Sequence, residues 1–340
     1  MSRYNIAVIG ATGNTGQALL AILKERQFPV RSLAVFASPK SRGKVVHFCS
    51  SALRVSLLEE ADFSTFDIAF FCAGADVSRL YAPQAAQARC IVIDKSSAFR
   101  AHPSVPLVVP EINGSIITSG APLSIVSNPN CVAIPLSMAL APLRDLGLKR
   151  VVVSTYQSVS GAGRRLCEEL HYQAKNVLQG KTSEVSIGFN VIPLIGNIET
   201  EEEPGFSGEE TKIMAETQKI LQYSCPMCIT SVRVPVFVGH GMSVAAECTY
   251  LCSHEELLQR FRSIPGLYVD DNTFHTPQDV AGTDDVFIGR IRRDSSVAAG
   301  IVFWVVADNL RKGAATNGVQ IAEALVARDP SLSAFRCCKV

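Results

Sequence analysis

The hydrophobic positions of this chain fall into two regimes. Up to about residue 127, short continuous apolar runs at Tyr4–Ile9, Ser32–Phe36, Ile68–Cys72, Ile91–Ile93 and Ser124–Val126 alternate with segments of helical period, such as Val77–Ala88. Runs too short for helices and apolar throughout suit strands buried on both faces. The alternation predicts a parallel sheet with helices on each side. After Leu148 the runs lengthen and become β-branched, at Arg150–Tyr156, Cys228–Pro235, Ser243–Leu251 and Ala298–Val306, with long helical or irregular connections. A mixed, largely antiparallel sheet is expected there. Cys131 opens a predicted helix over Val132–Leu143. A terminal helix running to about Arg328 is expected to return to the first domain, which otherwise lacks its last helix. The stretch Ile198–Gly208, with four glutamates, a proline and two glycines, reads as an exposed loop.

The first strand runs into Gly10-Ala-Thr-Gly-Asn-Thr-Gly16, and a helix follows to about Lys24. Backbone N–H groups in such a turn can approach a pyrophosphate, so Gly10, Thr12, Gly13, Asn14, Thr15 and Gly16 are candidate cofactor residues. Glycines demanded only by close helix–strand packing are the alternative. The second strand ends at Phe36-Ala37 without an acidic residue for a ribose hydroxyl. Ser38, Lys40, Ser41 and Arg42 come instead, a set suited to a 2′-phosphate, which favours NADP over NAD. The expected fold class is α/β: a Rossmann-type dinucleotide-binding domain, residues 1–127 completed by about 309–340, plus an α+β catalytic and dimerisation domain with a mixed sheet, residues 128–308.

Cys131 ends the run Asn128-Pro-Asn-Cys. A thiol at a helix start meets unpaired N–H groups and the positive end of the helix dipole, which favour thiolate; a buried cysteine acting as a small hydrophobe fits the same position. Arg233 stands near a strand end and His240 between two glycines, where the imidazole is expected to be uncrowded and to exchange protons near neutral pH. Gln157 leads into a glycine-rich turn in which Ser160 and Gly161 can lie against a cofactor ring. Glu209 and Lys212, three apart, share one helix face, as many solvated surface pairs also do.

Composition narrows the function classes. A net charge of +1 with interspersed signs offers no footprint for nucleic acid or a membrane surface. No apolar stretch approaches the roughly 20 residues of a membrane span, and the first residues carry no secretory pattern. The eleven scattered cysteines fit a reducing cytoplasm better than a disulfide framework. Cys225-Pro-Met-Cys228 has no second pair or close histidine to complete a metal site, so no metal is expected. The partners implied are small molecules.

Taken in order, Gly10-Ala-Thr-Gly-Asn-Thr-Gly16, Ser96-Ser-Ala-Phe-Arg100, Val108-Val-Pro-Glu-Ile-Asn113, Ser127-Asn-Pro-Asn-Cys131, Gln157 with Ser160-Gly-Ala-Gly163, Phe189-Asn-Val-Ile-Pro193, Arg233-Val-Pro-Val with Gly239-His240, and Gly313-Ala-Ala resemble the motifs of aspartate-semialdehyde dehydrogenases. The resemblance covers essentially the whole chain. It implies NADPH-dependent reduction of L-β-aspartyl phosphate to aspartate semialdehyde and phosphate, in biosynthesis of the lysine, threonine and methionine branches, by a homodimer. It also implies roles: Cys131 as nucleophile, His240 as acid/base for the thiol and hemiacetal protons, and Gln157 orienting the acyl group. Arg233 would take the substrate α-carboxylate, Glu209 its ammonium, Arg100 and Lys212 the phosphate, and Asn317 with Gln320 the nicotinamide end. Lys95, where the family often has a neutral polar residue, is expected to add a cation near Arg100. Gly241 stands where Ser or Ala is common. N-acetyl-glutamyl-phosphate reductases and non-catalytic NADP-sensing regulators are the competing resemblances. The first typically has glycine before its cysteine, here Asn130; the second has no use for Cys131, Gln157, Arg233 and His240 together.

Overall fold

A computed structural model describes residues 2–119, 123–181, 186–198 and 205–332. The chain divides into two compact units, changing from one to the other at Asn130/Cys131 and back at Gly313/Ala314.

The first unit contains β1 (Tyr4–Ile9), β2 (Val30–Ala37), β3 (Val45–Phe48), β4 (Ser51–Arg54), β5 (Ser56–Leu57), β6 (Ile68–Phe71), β7 (Ile91–Asp94) and β8 (Ile125–Ser127). Six of them form one sheet in the order β5-β2-β1-β6-β7-β8, with every pairing parallel. β3 and β4 make a separate antiparallel hairpin that the sequence pattern did not mark. The unbroken apolar run of β1 has a simple cause. Ile6 and Val8 point into a core shared with Leu19, Ile22 and Leu23 of α1 (Asn14–Glu25) and with Val319, Ala322 and Leu325 of the C-terminal helix, Thr316–Arg328. Ala7 and Ile9 point the other way, toward Ala82, Ala85 and Ala86 of α2 (Ala75–Gln87). A strand with period 2 and two dry faces can carry no polar side chain in its middle. A single-turn helix, α3 (Pro110–Asn113), follows later in this unit.

The second unit holds α4 (Ala133–Leu140), β9 (Leu148–Gln157), α5 (Arg164–Leu178), α6 (Gly208–Leu221), β10 (Met227–Arg233), β11 (His240–Cys248), α7 (His254–Arg262), β12 (Leu267–Val269), α8 (Pro277–Val280), β13 (Val286–Asp294) and β14 (Gly300–Ala307). Its sheet runs β10-β9-β11-β14-β13-β12 and is mixed: the two outer pairings are parallel and the inner three antiparallel. All eight residues of α4 are buried, as an apolar helix without a polar face must be.

Some boundaries differ from the sequence expectation. The helix expected over 132–143 is α-helical only to Leu140 and tightens to a 3-10 turn over Ala141–Leu146. Pro142 lacks an N–H and its ring collides with the carbonyl four residues back, so the α-helix stops. β11 begins at His240 itself, which pairs with Ala307 of β14; the histidine sits on the sheet, not in a loop before it. β12 and β13 were not anticipated, since Arg290, Arg292 and Arg293 break the apolar run of β13. Residues 199–204 of the expected exposed loop lie outside the described residues. At its described end Ser207 is buried and caps α6, its hydroxyl accepting from Glu210 N–H while the Glu210 carboxylate accepts from Ser207 N–H. Residues 333–340, at the end of the span assigned with the C-terminal helix, are likewise outside the described residues.

Candidate active site

In the first unit, the glycine turn serves two purposes. Gly10 has φ of +81°, and a Cβ there would stand 2.6 Å from the carbonyl oxygen of Cys72; a Cβ on Gly16 would run into the backbone of Gly10 and Ala11. Packing alone demands those two glycines. Gly13 is different: its nearest neighbour would be 3.4 Å away, and it borders a cavity of about 430 Å³ with Gly10, Thr12, Ser38, Pro39, Cys72 and Gly74. Gly13 is also the N-cap of α1. No side chain caps that helix and no acidic residue lies in its first turn, so Asn14, Thr15 and Gly16 begin a helix whose positive end suits a phosphate. A nucleotide pyrophosphate fits these residues.

At the end of β2, Ser38 and Lys40 are exposed, while Ser41 is buried and accepts a hydrogen bond from Thr12 Oγ1 at 3.3 Å. Arg42 is paired with Glu60. Glu59, a carboxylate that sequence reading passed over, lines the same cavity.

At the ends of β7 and β8, the Arg100 guanidinium donates from Nε to Asn128 O (3.0 Å) and from Nη2 to Lys95 O (2.8 Å), which anchors it on both strands. Asn317 is fully buried, and its Nδ2 donates to Val108 O (2.9 Å) and Asn128 Oδ1 (2.8 Å). Both amide protons are thus engaged within the unit. Asn317 thereby holds the segment that precedes Cys131. Gln320 donates to Glu111 Oε1 at 2.7 Å.

Lys95 lies close enough to Arg100 to feel its charge, as expected, but is buried. Its Nζ is buried without a hydrogen-bond partner among the described residues, and Gly318 makes room for it, since a Cβ there would lie 3.4 Å from Nζ. Burial pulls the ammonium down to about 8; Cys72 acts in the opposite sense and Arg100 adds repulsion.

The second unit gathers the reactive groups. Cys131 is half-buried just before α4, and Gly313 closes on it: a Cβ at Gly313 would stand 3.1 Å from Cys131 O and 3.3 Å from its Cβ. Arg233 is buried at the end of β10 and donates from Nη1 to Ser158 O at 2.7 Å. Burial draws Arg233 below the ordinary guanidinium range, while the acidic groups Cys131 and Glu209 act in the opposite sense. Glu209 is half-buried on the first turn of α6; Lys212, one turn on, is exposed. Gln157 is buried and its Nε2 donates to Thr155 Oγ1 at 3.3 Å.

His240 is not the uncrowded, neutral-range histidine expected. It is buried, and its pKa is pushed down to about 3, chiefly by burial and then by the Arg233 charge, with a hydrogen bond to the Gly239 backbone acting in the opposite sense. Its flanking glycines serve other ends. Gly239 has φ of +92° and packs against Pro277, and a Cβ on Gly241 would run into the ring of Trp304. Space for the imidazole comes from Gly161 instead, where a Cβ would lie 3.2 Å from Nε2 and 3.6 Å from Arg233 Nη1.

Sequence reading missed two residues around this ring. Ser158 N–H donates to His240 Nδ1 at 3.1 Å, and Ser158 Oγ lies 3.1 Å from the same nitrogen. Asn309 Oδ1 accepts from Ser158 Oγ (3.1 Å), Ser160 Oγ (3.1 Å) and Gly239 N–H (2.9 Å), and its Nδ2 donates to Ser160 Oγ (2.9 Å). Ser160 is therefore tied into the histidine's surroundings. The only local signal was a polar pair, Asp308-Asn309, ending an apolar strand.

The two family models that match this chain describe a semialdehyde dehydrogenase, the NAD binding domain over residues 5–119 and the dimerisation domain over 140–312. The class is thus a nicotinamide-dependent dehydrogenase of semialdehydes. Among curated relatives, an aspartate-semialdehyde dehydrogenase of Rickettsia bellii is 45% identical, covering 95% of this chain and 98% of its own; that of Aquifex aeolicus is 44% identical with the same coverage. A crystal structure of aspartate semialdehyde dehydrogenase II complexed with ASA, from Vibrio cholerae, superposes with a TM-score of 0.92 at 42% identity, covering 97% of this chain and 99% of that one. The chain belongs to the aspartate-semialdehyde dehydrogenase family.

Proposed function

We propose that this chain reduces L-β-aspartyl phosphate to L-aspartate 4-semialdehyde and inorganic phosphate with NADPH, through a thioacyl intermediate on Cys131. The observation that carries the reading is the grouping, within one unit, of a half-buried thiol, a buried arginine facing both that thiol and Glu209, and a buried histidine beside the arginine. An acyl phosphate needs a thiolate nucleophile, a positive charge that favours the thiolate, and recognition of an amino acid's two charged ends.

Cys131 Sγ bonds to the acyl carbon and phosphate departs with the C–O electron pair. The nicotinamide cofactor, when bound, supplies the hydride. Collapse of the resulting thiohemiacetal releases the aldehyde and regenerates the thiolate, and the one proton consumed overall resides on the phosphate. Arg233, held by Ser158 O, offers its remaining planar donors to the α-carboxylate. Glu209 takes the ammonium, Gln157 orients the acyl group, Arg100 and Lys212 bind phosphate, and His240 serves the thiol and the hemiacetal oxygen. An acetylated substrate such as N-acetyl-glutamyl phosphate has no ammonium for Glu209.

Residues 1–127, completed by the C-terminal helix, are assigned to the cofactor, and 128–308 to catalysis and homodimer formation. The assignment of NADP rests on Gly13, Ser38, Lys40 and Ser41, with Ser160, Gly161 and Gln320 toward the nicotinamide end; Glu59 is the group that would favour NAD. A cytoplasmic location is in keeping with the free cysteines described, and no helix among the described residues is long and apolar enough to cross a membrane. The test is one assay: NADP or NAD, aspartate semialdehyde and phosphate, followed by reduced cofactor absorbance. Phosphate-dependent reduction with a higher kcat/KM for NADP is expected. No turnover of aspartate semialdehyde would refute the reading, and equal kcat/KM for the two cofactors would refute the NADP assignment.

A further inference from the structure

The Ser158 N–H is a backbone donor with a fixed direction, and it points at His240 Nδ1. Two hydrogens cannot occupy that 3.1 Å line, so the neutral imidazole carries its proton on Nε2. Nε2 itself is buried and has no hydrogen-bond partner among the described residues. On the other side, Asn309 is buried and gathers Ser158, Ser160 and Gly239 onto one amide. Gly239 immediately precedes His240 along the chain, and Ser158 carries the donor that defines the tautomer.

We infer that Asn309 is a positioning residue which, through Ser158 and Gly239, holds His240 as the Nε2–H tautomer, so that the ring enters the reaction as a neutral hydrogen-bond donor. This deepens the proposed function and rests on His240 serving the reacting centre. A neutral donor suffices for that chemistry. The oxygen of each tetrahedral adduct gains negative charge and loses it again on collapse, so it needs a stabilising N–H and no net proton. The charged groups at hand agree with it. Arg233 repels a cationic ring, and Cys131 and Glu209 are the acidic groups that interact with Arg233. The Asp308 carboxylate is engaged by Gly282, Leu310 and Arg311 N–H groups and is not the ring's counter-ion. A cysteine–histidine pair oriented by an asparagine has a precedent in papain-like proteases, although here the amide acts through a serine.

The experiment compares 15N spectra of the ring nitrogens in labelled enzyme with steady-state kinetics, using His240→Asn to assign the signal. The unaltered protein is expected to show a protonated Nε2 and an unprotonated Nδ1 between pH 6 and 8. Asn309→Ala should lower kcat by about 10–100-fold, the usual size for an orienting hydrogen bond, with KM for the cofactor little changed and a second tautomer visible. Asn309→Asp places a carboxylate behind Ser158 and should raise the ring pKa, bringing an acid limb into the kcat profile that the unaltered enzyme lacks. Ser158→Ala keeps the backbone donor and should retain the tautomer with a smaller loss in kcat, which covers the case of Asn309 variants that do not fold. A proton on Nδ1 in the unaltered protein, or Asn309→Ala with unchanged tautomer and kcat, overturns the inference. Full activity in His240→Asn would instead refute the catalytic role while leaving the tautomer result standing.

Discussion

Gly161 and His240 meet so closely that a methyl group on the glycine would lie 3.2 Å from Nε2 and 3.3 Å from Cε1 of the imidazole. That spacing is tighter than ordinary van der Waals contact. The absence of a side chain at Gly161 therefore sets where the ring can lie. Gly161→Ala is expected to displace the ring by a few tenths of an ångström and to lower kcat by about 10–100-fold. Because Gly161 is also assigned toward the nicotinamide end, dinucleotide affinity, measured by fluorescence titration, should weaken too, by less than kcat falls. Unchanged kcat would mean that the ring position is not critical.

Cys131→Ser should abolish turnover, by at least about a thousandfold, while leaving cofactor affinity within a few-fold. A serine hydroxyl is scarcely ionised at neutral pH and the dinucleotide phosphates are assigned to the other unit. Mass spectrometry of enzyme quenched with aspartate semialdehyde and NADP, in the absence of phosphate, should find the acyl adduct on Cys131 and none on the serine variant. Retention of a tenth of the rate would contradict a covalent mechanism.

Gly241 and Trp304 lie diagonally across β11 and β14, and a Cβ at 241 would overlap the indole, whose Nε1 donates to His275 O at 2.9 Å. The glycine is thus explained by the tryptophan. Gly241→Ala should cost about 1–3 kcal/mol in urea unfolding. Trp304→Leu opens that space, so in a double-mutant cycle the alanine should cost far less beside leucine. Simple additivity would show that the two residues are not coupled.

His240, with a folded pKa of about 3 against 6.5 unfolded, binds its proton less readily when native. Between those values the unfolded state carries more protons, so stability falls as pH drops; above pH 6.5 the contribution is complete. His240→Asn removes this dependence. Urea midpoints between pH 6.5 and pH 4 should fall less steeply for the variant than for the unaltered protein. Parallel slopes would place the acid sensitivity elsewhere.

Lys95 gives the opposite experiment at high pH. Its ammonium is pulled from 10.5 to about 8 when folded, so the burial penalty is full below pH 8 and is relieved as pH rises toward 10.5. Lys95→Met should raise stability at pH 7 by about 1–3 kcal/mol. The gap should narrow in melts at pH 9.5. A destabilised variant at pH 7 would mean that the ammonium has a partner contributing more than its burial costs.

The parallel sheet of the first unit was legible because β1, β6 and β7 are dry on both faces, and no other local structure tolerates such short unbroken apolar runs. The mixed sheet was legible in part: β9 and β14 announce themselves by β-branched length, whereas β13, with three arginines, does not. Cys131, Arg233 and His240 could be singled out from their own short segments. What surrounds His240 could not. The ring's donor comes from Ser158, its buttress from Asn309 and its room from Gly161, which lie 82, 69 and 79 positions away along the chain. Sequence by itself determined which chemical groups are present and which segments are dry, since both follow from composition and period. Only the tertiary structure decided the ring's protonation, the burial of Lys95 and the reason for Gly241, because desolvation, tautomer and steric overlap depend on neighbours that folding alone brings within a few ångströms.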